Sequence, residues 1–304
     1  MLKLNSRSDE VKKLQSGLND LSFDCGKPDG VFGKNTHAAV VKFQDSVDLY
    51  EDGKVGNDTA EKYNLAVKPE FRITLTVTQT PIQTGTKLKL VSVRCDKHKD
   101  GFSSMDMRED VAKPFIVIRK RINNLGGIVT SAGCGRPLSM GGGKAQSPTS
   151  FHYAFMAFDL ALSSGMTSVN DPFVITDDGD GYWRVWARVT SEEIEVQTLK
   201  ATIAKTVSGK LIVETAEATG RFVDFTAIAK ENGFERIRRR ASFTKRKSYS
   251  AAEWWHLQYE KDLVVGVSTF GGELLKVYDE ARIKREFRGD WNSLKYAKFG
   301  DGFD

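Results

Sequence analysis

Residues 29–36 read Asp-Gly-Val-Phe-Gly-Lys-Asn-Thr, and residues 52–59 read Asp-Gly-Lys-Val-Gly-Asn-Asp-Thr. The two stretches share the pattern D-G-x-[FV]-G-x-x-T at an offset of 23 residues, which marks an internal repeat. Asp-Gly favours a tight reversal, the second glycine gives the backbone freedom, and the threonine can cap a following helix. Each copy therefore predicts a loop that leads into a helix.

Apolar residues on either side of these loops recur at helical spacing. Before the first loop, the positions three and four residues apart are Val11, Leu14, Leu18 and Leu21. Between the loops, the corresponding positions are Ala38, Val41, Phe43 and Val47. A third helix is expected to begin at residues 60–63. The N-terminal segment is therefore predicted to form three short helices joined by two related loops.

This segment resembles the small peptidoglycan-binding domain found at the ends of bacterial and phage wall hydrolases. The resemblance covers roughly residues 6–65 and includes V-x-x-L-Q-x-x-L, both loop motifs, and the signature positions Gln15, Phe43 and Gln44. It implies that residues 1–66 bind peptidoglycan. The loop residues to which the resemblance assigns wall binding are Asp29, Gly30, Phe32, Gly33, Asp52, Gly53 and Gly56.

The remainder of the chain, residues 70–304, is predicted to be a second domain of mixed structure. Apolar and polar alternation predicts strands, and helical spacing predicts helices. The predicted strands are 71–78, 87–93, 128–131, 182–189 and 210–215, and the predicted helices are 109–125 and 272–288. Because these elements show no regular βαβ order, we expect an α+β fold with a largely antiparallel sheet. The glycine-rich residues 133–150 predict an irregular loop of the kind that carries function.

Two of the four histidines lie beside residues that could share their chemistry. His152 precedes Asp159 by seven residues, and His256 follows Glu253 by three. Two imidazoles and a carboxylate suit a hydrolytic zinc ion, which needs three protein ligands, a position for water and a nearby general base. On a flat strand, His152 and Asp159 would face opposite sides, so a bend or bulge between them is required. The absence of H-E-x-x-H excludes the helix-borne metalloprotease arrangement.

The pattern S-x-H-x6-D with a later E-x-x-H resembles the M15 family of zinc peptidases. That family includes D-Ala-D-Ala carboxypeptidases and dipeptidases, and the L-alanyl-D-glutamate endopeptidases common in phage endolysins. The resemblance implies one Zn²⁺ ion held by three ligands, a catalytic base, and an arginine that binds substrate or the oxyanion. Transferred to this sequence, the ligands are His152, Asp159 and His256, the base is Glu253, and the arginine is Arg136.

Several positions around the motif need separate interpretation. Phe155 stands where the family pattern S-x-H-x-x-G-x-A-x-D has glycine, which leaves the local backbone geometry open. Ser150, Trp254 and Trp255 are candidate substrate contacts, although the tryptophans could equally be core aromatics. Residues 163–250 form an insertion that is long for the family and has no evident purpose.

The sequence leaves three other interpretations open. Cys134 could pair with His152 as a thiol nucleophile, although this leaves Asp159 and the E-W-W-H unit unexplained. The second domain could instead be a D,D-carboxypeptidase that acts on wall precursors. It could also be a vestigial site in a non-catalytic wall-binding or virion structural protein.

Composition and charge limit the kinds of partner that the chain is expected to have. The 304 residues are 40% hydrophobic, contain no apolar run long enough to span a membrane, and begin without the apolar core of a signal peptide. The net charge of +5 is concentrated in residues 235–247, which hold seven cationic residues and one acidic residue. No nucleic-acid motif accompanies this segment, so Arg236–Lys247 is interpreted as a possible contact with an anionic wall or outer surface. We therefore expect a peptidoglycan hydrolase of the endolysin type, made in the host cytoplasm and released to the wall through a holin.

Overall fold

The computed structural model describes residues 2–47, 53–74, 87–140 and 147–300. Contacts divide the chain into two compact units. The first groups the described parts of residues 1–85, 138–150 and 264–304, and the second groups those of 86–137 and 151–263. The predicted boundary between residues 66 and 70 stays a prediction, and the grouping adds residues 264–304 to the N-terminal unit.

Three helices form the N-terminal part of the first unit, as the repeat predicted. They are α1 (Asp9–Asp20), α2 (Lys34–Ser46) and α3 (Asn57–Ala66). Phe43 lies at their centre, in edge-to-face contact with Phe23 and Tyr63. The predicted caps are wrong, because Gly33 and Gly56 precede α2 and α3 while Thr36 and Thr59 lie one turn inside. On α2 the buried positions include Ala39 and Val40, each one residue away from the predicted Ala38 and Val41.

Two buried glutamines explain why both copies of the repeat share the same spacing. Gln15 of α1 accepts a hydrogen bond from the Gly30 N–H at 2.8 Å through its side-chain oxygen. Its amide nitrogen donates at 2.9–3.0 Å to three acceptors, which are Asp29 Oδ1, the Val31 carbonyl and Thr36 Oγ1. The Gln15 side chain thus connects the first loop to α1 through hydrogen bonds.

Gln44 of α2 does the same for the second loop. It accepts from the Gly53 N–H at 2.8 Å and donates to the Lys54 carbonyl at 2.9 Å and Thr59 Oγ1 at 3.1 Å. This arrangement corrects part of the predicted wall-binding set, because Phe32 is 0% exposed and Gly53 is buried. These two residues shape the loops from inside, and Asp52 lies outside the described residues.

Replacing Gln15 with leucine is expected to lower the free energy of unfolding of the N-terminal unit by about 2–3 kcal/mol. The leucine would remove the partner of the half-buried Gly30 N–H and Val31 carbonyl and of the buried Thr36 hydroxyl. An unsatisfied buried polar group costs about 1–3 kcal/mol. Chemical denaturation followed by circular dichroism measures the change. Lys12→Leu, on the exposed side of the same helix, is the control and should shift stability by less than about 0.5 kcal/mol. Equal effects of the two variants would contradict the role of Gln15.

Among its described residues, the second unit contains nine strands in three antiparallel sheets. The first four are β1 (Leu90–Arg94), β2 (Ser104–Arg108), β3 (Ala157–Asp159) and β4 (Phe173–Asp177). The others are β5 (Trp183–Val189), β6 (Val196–Val207), β7 (Lys210–Asp224), β8 (Phe234–Arg236) and β9 (His256–Tyr259). They are ordered β1-β2, β3-β9-β8 and β4-β5-β7-β6. The predicted α+β class with antiparallel strands is therefore confirmed.

Helices complete both units. The second unit contains α4 (Glu109–Asn124), α5 (Phe225–Glu231) and α6 (Ala241–Thr244). The C-terminal part of the first unit contains α7 (Phe270–Leu275), α8 (Glu280–Glu286) and α9 (Trp291–Leu294). The long insertion thus folds as a four-stranded sheet, β4 to β7, followed by α5. In the part of the chain that the structure describes, no helix is long and apolar enough to cross a membrane.

Several element predictions differ from the structure. The helix predicted at 109–125 is confirmed, whereas 272–288 is broken into α7 and α8 because Asp279 takes extended backbone and begins a new helix. Residues 128–131 are not a strand, since Val129 and Ser131 make single backbone bonds to loop residues. The strand predicted at 71–78 begins in a 3-10 turn at Pro69–Phe71, and residues 75–78 lie outside the described residues.

Candidate metal centre

The chain bends sharply between the first two candidate ligands. His152 lies in a 3-10 turn, Phe151–Ala154, and Asp159 ends β3. Between them Phe155 has a φ of +55°, in the left-handed region that favours glycine. The bend that the spacing required is therefore present, and it allows both side chains to face one point.

Phe155 takes the backbone conformation expected of a glycine and also packs against one. A Cβ atom added to Gly135 would lie 2.1 Å from Cε1 of the Phe155 ring, so only glycine fits beneath it. Gly135 follows Cys134, whose carbonyl contacts His152. The aromatic residue thus supports the loop beside the candidate ligand while its backbone makes the turn.

Phe155→Gly is expected to be more stable than Phe155→Ala by about 1 kcal/mol. Both variants lose the ring, but only alanine keeps a Cβ atom in the left-handed conformation, which costs roughly 1–2 kcal/mol. Thermal or chemical unfolding of the two variants measures the difference. An alanine variant as stable as the glycine variant would show that the backbone at this position carries no such strain.

The third candidate ligand comes from a strand almost a hundred residues later. In the β3–β9 ladder, His256 pairs with Asp159, so their side chains leave the same face of the sheet. Backbone bonds to the loop before His152 fix the other edge of β3. The Asp159 N–H donates to the Gly133 carbonyl at 2.9 Å, and the Ala132 N–H donates to the Asp159 carbonyl at 2.7 Å.

Three side chains converge at distances that suit a tetrahedral metal ion. His256 Nδ1 lies 3.0 Å from Asp159 Oδ1 and 3.2 Å from His152 Nε2. His152 Nε2 lies 3.4 Å from Asp159 Oδ2. Atoms that each bind zinc at about 2.0–2.1 Å in a tetrahedron are roughly 3.3 Å apart. This buried His-Asp-His group could therefore hold a metal ion.

The hydrogen bond made by the second ring nitrogen of His152 fixes which nitrogen can bind a metal ion. His152 Nδ1 lies 2.5 Å from the carbonyl oxygen of Cys134, and a carbonyl can only accept. Nδ1 is therefore the donor, and in the neutral ring Nε2 directs its lone pair toward His256 and Asp159. Metal-binding histidines commonly use such a backbone acceptor to fix the ring.

The electrostatics of the group favour an ionised Asp159 carboxylate beside the two imidazoles. Burial would raise the pKa of the Asp159 carboxyl, but His152 and His256 outweigh it and hold that pKa well below its usual range. For His256, burial alone would lower the pKa, but its contact with the Asp159 carboxylate, which accepts from the protonated ring, raises that pKa above its ordinary value. A carboxylate facing two imidazoles is a donor set that zinc accepts.

Glu253 lies close to this group and is 7% exposed. Its backbone is left-handed, with a φ of +56°, and its Oε1 lies 2.6 Å from Nη2 of Arg240. Burial raises the pKa of the Glu253 carboxyl, and the positive charge of Arg240 partly offsets this. The sequence placed Arg240 only in the basic segment Arg236–Lys247, and its contact with Glu253 was not predicted because it depends on how the chain between them folds.

Arg136 is held beside the 3-10 turn that carries His152. Its N–H donates to the His152 carbonyl at 3.1 Å, and its guanidinium lies 5.5 Å from the centre of the Tyr153 ring. Within the described ranges, its buried Nη1 atom has no hydrogen-bond partner. A buried cationic donor in this state suits an anionic ligand group.

The other candidate substrate contacts are buried. Trp254 and Trp255 are 2% and 6% exposed and meet edge to face, which fits the interpretation as core aromatics, and a substrate contact by either stays a prediction. The Ser150 side chain is buried and belongs to the other contact unit. Burial raises the pKa of the Cys134 thiol well above its ordinary value, which opposes the thiolate that a nucleophile needs.

Several arginines of the basic segment Arg236–Lys247 contact residues of the same unit. Arg236 pairs with Asp178 at 2.5 Å, Arg239 pairs with Asp177 at 2.7 Å, and Arg240 holds Glu253. Arg238 lies 5.0 Å from the centre of the Tyr182 ring. These contacts give the arginines a structural role, and a wall contact through Arg236–Lys247 stays a prediction.

Comparison with known proteins identifies the N-terminal part of the chain. Residues 7–62 match the family described as "Putative peptidoglycan binding domain". The chain thus carries a peptidoglycan-binding domain at its N-terminus, which supports association with the cell wall. The carboxy-terminal processing protease CtpB of Bacillus subtilis (strain 168) is 39% identical over 67 residues, which are 22% of this chain. The chain covers 14% of that protein's length, so the match gives little information about the activity of this chain.

Proposed function

We propose that the protein is a zinc-dependent peptidoglycan peptidase of the M15 type, held on the wall by its N-terminal domain. The observation that carries the proposal is the convergence of His152, Asp159 and His256 with ligand atoms 3.0–3.4 Å apart. The peptidoglycan-binding domain on the same chain supports the wall as its substrate. An endolysin that reaches the wall from the cytoplasm through a holin is the setting we propose.

The residues around the centre have separate roles in the proposed hydrolysis. Zinc bound by the three ligands would supply Lewis acidity and a water of lowered pKa. Glu253 is the general base, and because Arg240 holds Oε1, we assign proton acceptance to Oε2. The proton then passes from Glu253 to the leaving amine. Arg136 offers Nη1 to a substrate carboxylate or to the developing oxyanion.

Digestion of purified peptidoglycan tests the proposal. Wild type is incubated with walls, with and without a chelator, beside Glu253→Ala, and new free amino termini are counted. We expect release by wild type alone, and restoration when zinc is returned after chelation. Equal release in all samples would overturn the metal mechanism.

The products separate the alternative functions. Released L-Ala or D-Glu ends indicate an endopeptidase, whereas free D-Ala indicates a D,D-carboxypeptidase. No release by a folded, metal-loaded protein would favour the vestigial site in a wall-binding or structural protein.

Wall binding can be measured apart from cleavage in the full chain. Full-length Glu253→Gln should sediment with purified peptidoglycan, because the binding domain is intact while cleavage is removed. The full chain is preferable to a truncation at residue 65, since residues 264–304 belong to the same contact unit as the N-terminal helices. A protein that stays in the supernatant would contradict the proposed anchoring.

A further inference from the structure

Three residues of one strand and its continuation form a hydrogen-bonded chain that ends at His256. His256 and Gln258 lie on β9, and Glu260 follows its last residue. Because alternate residues of a strand share a face, the two β9 side chains project from the side that also carries Asp159. His256 Nε2 lies 3.2 Å from Gln258 Oε1, and Gln258 Nε2 lies 2.6 Å from Glu260 Oε1.

The chemistry of Glu260 fixes the direction of this chain. An ionised carboxylate can only accept, so the nitrogen of the Gln258 amide must face it and the amide oxygen must face His256. His256 Nε2 then carries the hydrogen and donates to that oxygen. In the neutral ring this leaves the lone pair on Nδ1, the atom 3.0 Å from Asp159 and 3.2 Å from His152.

This protonation pattern makes the centre an acceptor-rich site. His152 is set in the same way by the Cys134 carbonyl, so both rings direct lone pairs toward each other and toward a carboxylate. Such an arrangement is stabilised by a cation at its centre. Gln258 is 5% exposed, so water does not readily replace its amide as the partner of His256.

We propose that Gln258 and Glu260 are positioning residues that hold His256 as a metal ligand through this relay. The proposal rests on the metal centre of the proposed function, but it concerns metal affinity and does not depend on hydrolysis. Glu260 also lines a cavity of about 550 Å³ with Lys230 and Arg236, so the relay connects the metal centre to a second, charged face of the unit.

Metal affinity of four full-length variants tests the relay. Zn²⁺ is titrated into chelator-treated protein in competition with a chromophoric chelator, and near-ultraviolet circular dichroism checks folding. Gln258→Leu should weaken zinc binding about 10- to 100-fold, the usual effect of removing the outer partner of a ligand histidine. Gln258→Glu should also weaken it, because two carboxylates would then meet at the 2.6 Å contact.

The double variant Gln258→Glu with Glu260→Gln is the decisive one. The amide introduced at position 260 can donate to the carboxylate introduced at position 258, which still accepts from His256. We expect recovery of most of the affinity lost by Gln258→Glu alone. Glu235→Gln is the matched control, because Glu235 lies opposite Gln258 and lines the same cavity but pairs with Lys230, and it should bind zinc like wild type.

The outcomes separate this proposal from the proposed function. Wild-type affinity in Gln258→Leu, or a double variant no better than Gln258→Glu, overturns the relay while hydrolysis by wild type can still stand. Tight zinc binding that follows the expected variant pattern, without any cleavage of peptidoglycan, supports the relay and overturns the peptidase.

Discussion

Replacing His152 with alanine is expected to weaken zinc binding by about 100-fold or more and to reduce peptidoglycan cleavage to background. Its Nε2 atom is one of three converging ligand atoms, and structural and catalytic zinc sites derive their affinity from the full set of ligands. Metal content after dialysis and the release of new amino termini measure the two effects.

A second histidine in the same unit provides the control for this prediction. His98 Nε2 contacts the Ser163 carbonyl at 3.2 Å, and His98 is not part of the converging group. His98→Ala should keep both zinc and activity. A His152→Ala protein that retains stoichiometric zinc through dialysis would contradict the assigned ligand set.

Replacing Glu253 with glutamine is expected to lower the rate of peptide cleavage by about 10²- to 10⁴-fold while the protein keeps its zinc. The amide has the shape of the carboxylate but cannot accept a proton from water, and general bases contribute about this factor. Because Glu253 is not in the converging group, metal affinity should stay close to that of wild type.

Turnover and metal content must be measured on the same preparation of Glu253→Gln. Loss of rate with full metal occupancy supports the role of the general base. Loss of zinc together with the rate would show that Glu253 is needed to build the site, since its carboxylate is buried and held by Arg240. Glu193→Gln, at an exposed position of the same unit, controls for the loss of one charge and should leave both quantities unchanged.

Local patterns were sufficient to predict the helical N-terminal segment. The spacing of Val11, Leu14 and Leu18 predicted α1, and all three side chains are buried. The repeat predicted two equivalent loops but not the way they are held. Gln15 and Gln44 were visible as signature positions, whereas their hydrogen bonds across the loops depend on how each loop folds back on its helix.

The candidate site was predictable in its ligand types and only partly in its surroundings. The spacing of His152 and Asp159 predicted a bend between them, and the left-handed backbone of Phe155 makes that bend. Gln258 was missed because no strand was predicted at His256, and only the observed strand β9 places residues two apart on the same face. The sequence held no signal for the role of Arg240 either, because its ion pair with Glu253 depends on how residues 163–250 fold.

Spacing and side-chain chemistry were enough to predict the three N-terminal helices, the α+β class and the candidate metal group of two histidines and an aspartate. Tertiary structure decided which of these residues meet. The pairing of Asp159 with His256 is set by the register of β3 against β9, and the burial of Phe32 and Trp254 is set by packing. Contacts between residues far apart in the chain depend on strand pairing and on the filling of the core, and neither is encoded in local periodicity.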